Sequence, residues 1–191
     1  MARTVPYDAS ARLTPANAVT ISRLALSPVL IVLILAQGPS FSALVLGFFI
    51  AITDGFDGWL ARRYGATRSG AFLDPLADKV LVLGSAGALA AIGCFPWLPV
   101  LLIAAREIGI SCYRSYWARR GLAIPARRIA KVKTVVQEFA IAFALVPPID
   151  QNARWFPLLL LWVAVGLTLF TGAQYVLDGQ RALSTGGTRT S

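Results

Sequence analysis

The chain has 191 residues, of which 57% are hydrophobic and only 14% are charged, and its mean hydropathy is +0.66. This composition is too apolar for a soluble domain and predicts one all-α domain that crosses a membrane several times. The net charge of +9 is better explained by the placement of Lys and Arg beside membrane spans than by nucleic-acid binding. With no His and only two Cys, a zinc or thiol–imidazole site is excluded.

Six apolar stretches long enough to cross a bilayer follow a polar start, which is predicted to be disordered over residues 1–12. Thr14-Pro15 predicts the N-cap and first residue of a short juxtamembrane helix. The transmembrane domain is predicted over residues 13–181, and residues 182–191 form a flexible tail. The predicted spans are residues 19–36, 41–63, 70–94, 96–117, 131–146 and 155–175.

The polar residues Asn17, Thr20 and Arg23 precede or enter the first span at intervals of three, so they share one helix face. Their spacing leaves two interpretations open. The stripe is either solvated at the membrane interface or directed towards a functional site.

Acidic residues concentrate where the second and third spans meet: Asp54, Asp57, Asp74 and Asp78 are four of the nine acids in the chain. Spacings of three and four place each pair on one helix face, and a short connection would bring the two pairs together. Four carboxylates in a membrane protein require a cation among them. Oxygen-only ligands predict two hard divalent ions, such as Mg²⁺, Mn²⁺ or Ca²⁺. The alternative is that these residues only cap and solvate helix ends.

Glycine and arginine accompany the acids. Gly58 and Gly70 lie beside the Asp-bearing turns, where a missing side chain lets a large group approach the backbone. Arg62 lies just beyond the first acidic pair, in a position to contact phosphate oxygens.

A second cluster is basic and lies at the end of the fourth span and the start of the fifth. Intramembrane cations require anionic partners, which two glutamates or a phosphorylated ligand could supply. Both interpretations are open. The cations are Arg106, Arg114, Lys131 and Lys133, and the glutamates are Glu107 and Glu138.

The distribution of Lys and Arg predicts the orientation. The connection between the first two spans has no basic residue, and the connection after the fifth has only Arg154. The opposite side receives Arg62, Arg63 and a basic run at residues 119–133. By the positive-inside rule, both termini and the acidic site are predicted to be cytoplasmic at the cell (inner) membrane, with Trp97 and Trp155 in the outer aromatic belt.

The pattern of these fixed positions resembles the signature of the CDP-alcohol phosphotransferase family. All eight are filled: Asp54-x-x-Asp57-Gly58-x-x-Ala61-Arg62, then Gly70-x-x-x-Asp74-x-x-x-Asp78. The surrounding residues, and the stretches at 17–28, 106–111 and 131–137, resemble its phosphatidylglycerophosphate synthase branch. One departure is Ala130, where the branch has Gly. The resemblance covers residues 13–181.

The resemblance implies a homodimeric membrane enzyme that makes phosphatidylglycerophosphate and CMP from CDP-diacylglycerol and sn-glycerol 3-phosphate. It assigns two Mg²⁺ or Mn²⁺ ions to the four aspartates and makes Asp78 the general base. It places the nucleotide at Gly58, Ala61, Arg62, Gly70, Asn17, Thr20 and Arg68. It places the acceptor phosphate at Arg106, Arg114, Lys131 and Lys133. The alternatives are another acceptor (phosphatidylglycerol, inositol phosphate or serine) or a different class, a divalent-cation transporter.

Overall fold

In the computed structural model, the described residues are helices joined by short connections, and this part of the chain has no strand. The structure describes residues 15–64, 70–119 and 129–186, with side chains at 19–53, 76–113, 115–117, 132–175 and 177. The helices are α1 (Pro15–Gln37), α2 (Phe41–Tyr64), α3 (Gly70–Ala91), α4 (Trp97–Arg119), α5 (Ile129–Ala144), α6 (Pro147–Asn152) and α7 (Trp155–Gly186). The predicted disordered start at 1–12 lies outside the described residues.

The helix boundaries follow the predicted stretches, with three differences. α1 runs unbroken from Pro15, so the predicted juxtamembrane helix and first span are one helix. Pro147 and Pro148 follow the end of α5 and open the short helix α6, because proline disrupts a helix interior but suits a first turn. α7 continues to Gly186, past the predicted end of the domain.

Two of the described helices, Val19–Gln37 and Trp155–Tyr175, are long and apolar enough to cross a membrane by length and composition, and Phe41–Thr53 is a shorter apolar helix. Large apolar side chains such as Val45, Phe48 and Leu98 are exposed. Such surfaces are unusual on a soluble monomer and are consistent with a membrane protein. The six crossings and the orientation of the termini stay predictions.

Helix α3 packs most extensively on α1 and also contacts α4 and α5. α1 also packs on α2, α5 packs on α7, and α4 contacts α7. A Cβ at Gly84 of α3 would overlap the end of Ile31 of α1, so glycine permits this close approach. Contacts of Arg23 with Asp78 and of Ile31 with Gly84 occur in ascending order, so α1 and α3 run parallel.

Candidate active site

The four aspartates lie on the helices that their spacing predicted. Asp54 and Asp57 belong to the second half of α2, and Asp74 and Asp78 to the first turns of α3. Only Asp78 has its side chain among those described, and its carboxylate is half-exposed. Among the described side chains there is no group of three that could hold a metal ion, and those of Asp54, Asp57 and Asp74 lie outside the described set.

The structure argues against a solvated stripe for the two described residues of the polar face of α1. Arg23 and Thr20 are both buried, so this face of α1 points into the bundle. Nη1 of Arg23 donates to Oδ1 of Asp78 at 2.9 Å. The contact joins residues 55 positions apart and brings a cation to the acidic helix. Asn17 is on α1, but its side chain lies outside the described residues.

Arg106, which is largely but not fully buried, links α4 to α7. Its Nε donates to the carbonyl oxygen of Thr168 at 3.1 Å, and its Nη2 donates to Oγ1 of Thr171 at 3.0 Å. Its Nη1 donates to Oε1 of Glu107 at 3.0 Å. The interpretation of Glu107 as an anionic partner is therefore confirmed for Arg106.

Glu107 also joins α4 to α5. Lys133, which is buried, donates to the same oxygen Oε1 that accepts from Arg106. One turn further along α5, Nε2 of Gln137 donates to Oγ1 of Thr168 at 3.1 Å, which connects α5 to α7. Two cations thus share one carboxylate where three helices meet.

Sequence reasoning assigned no role to Thr168 and Thr171, which complete this network. Their signal in the sequence was two hydroxyls three positions apart within the apolar run of α7. That spacing places them on one helix face, and polar side chains within apolar helices often form hydrogen bonds between helices.

For most other predicted site residues, the structure gives the helix on which each lies but not the position of its side chain. Gly58, Ala61 and Arg62 are in α2, Gly70 begins α3, and Arg68 lies outside the described residues. Arg114 is on α4, eight positions after Arg106, and Lys131 is on α5, two positions before Lys133. The side chains of these residues on the helices are not among those described.

An apolar cavity of about 210 Å³ opens beside the acidic helices. α1, α2, α3 and α5 form its walls. Ala51 and Leu81 line it, and each is three residues, or about one turn, from an aspartate of the signature. The cavity is therefore suited to a hydrocarbon chain whose polar end reaches the aspartates. Its lining includes Leu30, Gly47, Phe48, Ser85 and Phe139.

Comparison with known proteins gives consistent results. Residues 13–170 match the family model described as CDP-alcohol phosphatidyltransferase. A "Probable phosphatidylglycerophosphate synthase" of Mycobacterium tuberculosis is 39% identical over 91% of this chain and 84% of the relative. Proteins named "CDP-diacylglycerol--glycerol-3-phosphate 3-phosphatidyltransferase" are similar as well. The one from Salmonella choleraesuis is 41% identical over 82% of this chain and 90% of the relative, and that from Rickettsia bellii is 36% identical over 83% and 91%. The family model matches most of this chain, and the eight signature positions lie on two successive helices. The chain therefore belongs to the CDP-alcohol phosphatidyltransferase family.

Proposed function

We propose that this protein is an integral-membrane phosphatidyltransferase that makes phosphatidylglycerophosphate and CMP from CDP-diacylglycerol and sn-glycerol 3-phosphate. The observation that carries the proposal is the complete acidic signature on α2 and α3. The choice of acceptor is supported by relatives that are named for glycerol 3-phosphate. The apolar cavity one turn from the aspartates supports a donor with hydrocarbon chains.

The reaction requires one bond exchange at phosphorus. The free primary hydroxyl of the acceptor attacks the lipid-side β-phosphorus in line, a new O–P bond forms, and the bond to the bridging oxygen breaks. CMP leaves with that electron pair. The hydroxyl proton passes to a base, for which we propose Asp78, whose half-exposed carboxylate is open to an approaching hydroxyl.

Members of the family generally depend on divalent metal ions. Asp54, Asp57, Asp74 and Asp78 would hold two Mg²⁺ or Mn²⁺ ions, and an oxygen-only donor set suits both metals. Bound there, the ions would neutralise the diphosphate and stabilise the attacking and leaving oxygens.

For the nucleotide, we propose the glycines, the alanine and the arginines beside the acids together with the polar face of α1. Of these, Thr20 is the one whose side chain is described, and it lies on the inner face of α1. The full set is Gly58, Ala61, Arg62, Gly70, Arg68, Asn17 and Thr20.

For the acceptor phosphate, we propose the cluster formed by Arg106, Arg114, Lys131 and Lys133. Arg106 and Lys133 share the single carboxylate of Glu107, which leaves a positive charge beside the bundle interior. A phosphomonoester with up to two negative charges would balance that excess, whereas a neutral polyol would not. The bonds of Arg106 to α7 hold its guanidinium in place for this role.

The asymmetry of Lys and Arg supports six spans with both termini and the site on the cytoplasmic side of the cell membrane. The basic residue on the other side, Arg154, is paired with Asp150 at 3.0 Å and donates to the carbonyl oxygen of Gly93. We also propose a homodimer, which the resemblance to the family implies.

The test is an acceptor panel with labelled CDP-diacylglycerol and the full-length protein in lipid nanodiscs. We expect CMP release that requires both glycerol 3-phosphate and Mg²⁺ or Mn²⁺. Release with serine, inositol phosphate or phosphatidylglycerol instead would change the acceptor. Mn²⁺ uptake into vesicles without any CMP release would favour a transporter.

A further inference from the structure

Arg23 is a buried cation that the proposed reaction does not yet use. Its side chain is 0% exposed, and it lies in the middle of the α1 face that packs on α3. Burying an arginine inside a membrane protein is costly unless an anion accompanies it. A structural explanation alone would favour equally buried partners, yet Asp78, which accepts a hydrogen bond from Arg23, has a side chain that is 45% exposed.

The two side chains of this ion pair therefore differ in exposure, with Arg23 enclosed by the bundle and Asp78 at its surface. The guanidinium holds Oδ1 of Asp78 from inside the bundle at 2.9 Å, while the carboxylate reaches the surface of the site. The close contact of α1 with α3 at Ile31 and Gly84 keeps the two helices in register. The backbone carbonyl of Arg23 also accepts a hydrogen bond from Oγ of the buried Ser27, at 2.8 Å.

We propose that Arg23 is a positioning residue for the transfer reaction, which orients the carboxylate of Asp78 and supplies a built-in cation to the acidic site. This inference rests on the proposed function, in which Asp78 is the base. Charged hydrogen bonds of a planar guanidinium fix a carboxylate more tightly than a point charge does. An aspartate held in this way presents its exposed side in one orientation to the acceptor hydroxyl, which is what proton transfer requires.

The test compares Arg23→Gln and Arg23→Lys with the wild type, using the full-length protein in nanodiscs. The control is Arg154→Gln, because Arg154 also pairs with an aspartate but is half-exposed and contacts Gly93, just beyond the opposite end of α3 from Asp78. The measurements are kcat, KM for both substrates, Mn²⁺ affinity by electron paramagnetic resonance, and the thermal unfolding temperature.

For Arg23→Gln we expect kcat to fall by about tenfold to a hundredfold, because the base loses its orientation. KM for both substrates should change little. Mn²⁺ should bind more tightly, because a competing positive charge is gone. Arg23→Lys should recover part of kcat, and Arg154→Gln should match the wild type. Combining Arg23→Gln with Asp78→Asn should lower kcat no further than Asp78→Asn alone, because Arg23 acts through Asp78.

Two results would overturn the proposal: a kcat for Arg23→Gln within about twofold of the wild type, or a parallel loss of kcat, Mn²⁺ affinity and thermal stability. Should Arg23→Gln fail to fold, Arg23→Lys decides the matter by the same comparison. A wild type that releases no CMP would count against the transferase itself. Tighter Mn²⁺ binding by Arg23→Gln would then still support the pairing, and unchanged binding would refute it.

Discussion

At the scale of single residues, the charged groups of this protein differ in their hydrogen-bond partners and in their exposure. Arg106 already donates from three nitrogens to α4 and α7, and Glu107 accepts from two cations. Asp78 accepts from Arg23 and is still half-exposed. A group held in place yet accessible can take part in chemistry, whereas a guanidinium that donates from three nitrogens also links the helices around it.

The first prediction concerns the carboxylates. Replacing any one of Asp54, Asp57, Asp74 and Asp78 by Asn keeps its size and removes its charge. Each change should lower kcat by about a hundredfold or more, because it removes a group that stabilises the transition state. EDTA should abolish turnover, and Mg²⁺ or Mn²⁺ should restore it. The matched control is Asp150→Asn, which alters an ion pair beside Gly93 and should leave kcat unchanged. Near-normal rates for both Asp57→Asn and Asp74→Asn would refute the two-metal site.

The second prediction concerns the acceptor. Arg114→Ala or Lys131→Ala should each remove one charge-assisted contact to the phosphate, worth roughly 1.5–3 kcal/mol. We therefore expect KM for glycerol 3-phosphate to rise by about tenfold or more, while KM for CDP-diacylglycerol changes little. The opposite pattern, in which only the lipid KM rises, would place these cations on the nucleotide.

At the scale of elements, the helices are joined by two kinds of contact. α1 and α3 meet through small and apolar side chains, as at Gly84 and Ile31, and through the ion pair of Arg23 with Asp78. α4, α5 and α7 are instead linked by the buried network around Glu107. Polar links of this kind fix the rotation of one helix against the next, because a rotated helix would leave buried charges without partners.

The third prediction tests that link. Glu107→Gln should leave Arg106 and Lys133 buried without their shared carboxylate, and removing one partner of a buried ion pair commonly costs about 3–5 kcal/mol. The comparison is Asp150→Asn, which breaks the more exposed pair with Arg154 and should cost roughly 0–1 kcal/mol. Thermal unfolding in nanodiscs measures both. Equal shifts for the two variants would show that the buried network does not hold α4, α5 and α7 together.

At the scale of the whole molecule, the question is how the bundle sits in the membrane. The connection after α3 and the start of α7 lie together, because Arg154 donates to the carbonyl oxygen of Gly93. Trp97 and Trp155, close to these two points, are both exposed. This arrangement supports one end of the bundle as the predicted outer face, where an aromatic belt would lie.

The fourth prediction tests the orientation with single cysteines in a variant without Cys94 and Cys112. Cysteines at Ser40 and Gln151 should react with an impermeant thiol reagent added outside the cell. A cysteine at Ser69 should react only after the membrane is opened. Burial raises the pKa of the Cys94 thiol, with a further contribution from Asp150, so the native thiol would react slowly but must still be removed. Labelling at Ser69 in intact cells would reverse the predicted topology and the side of the substrates.

The sequence by itself determined the helices, the family and the positions of the acidic signature. Apolar runs bounded by residues such as Pro15 specify helices locally, and spacings of three and four decide which side chains share a face. The short helix α6 was missed because consecutive prolines indicated only the end of α5.

Only the tertiary structure decided which side chains meet. The partner of Arg23 is 55 positions away and that of Arg106 on α7 is 62 positions away, and no local pattern encodes such distances. Spacing left Arg23 equally compatible with a solvated stripe, and it did not decide which of the basic residues would pair with Glu107. The packing of α1 on α3, and of α4 and α5 on α7, selected one arrangement for each, because a buried charge is stable only where the fold places its counter-charge.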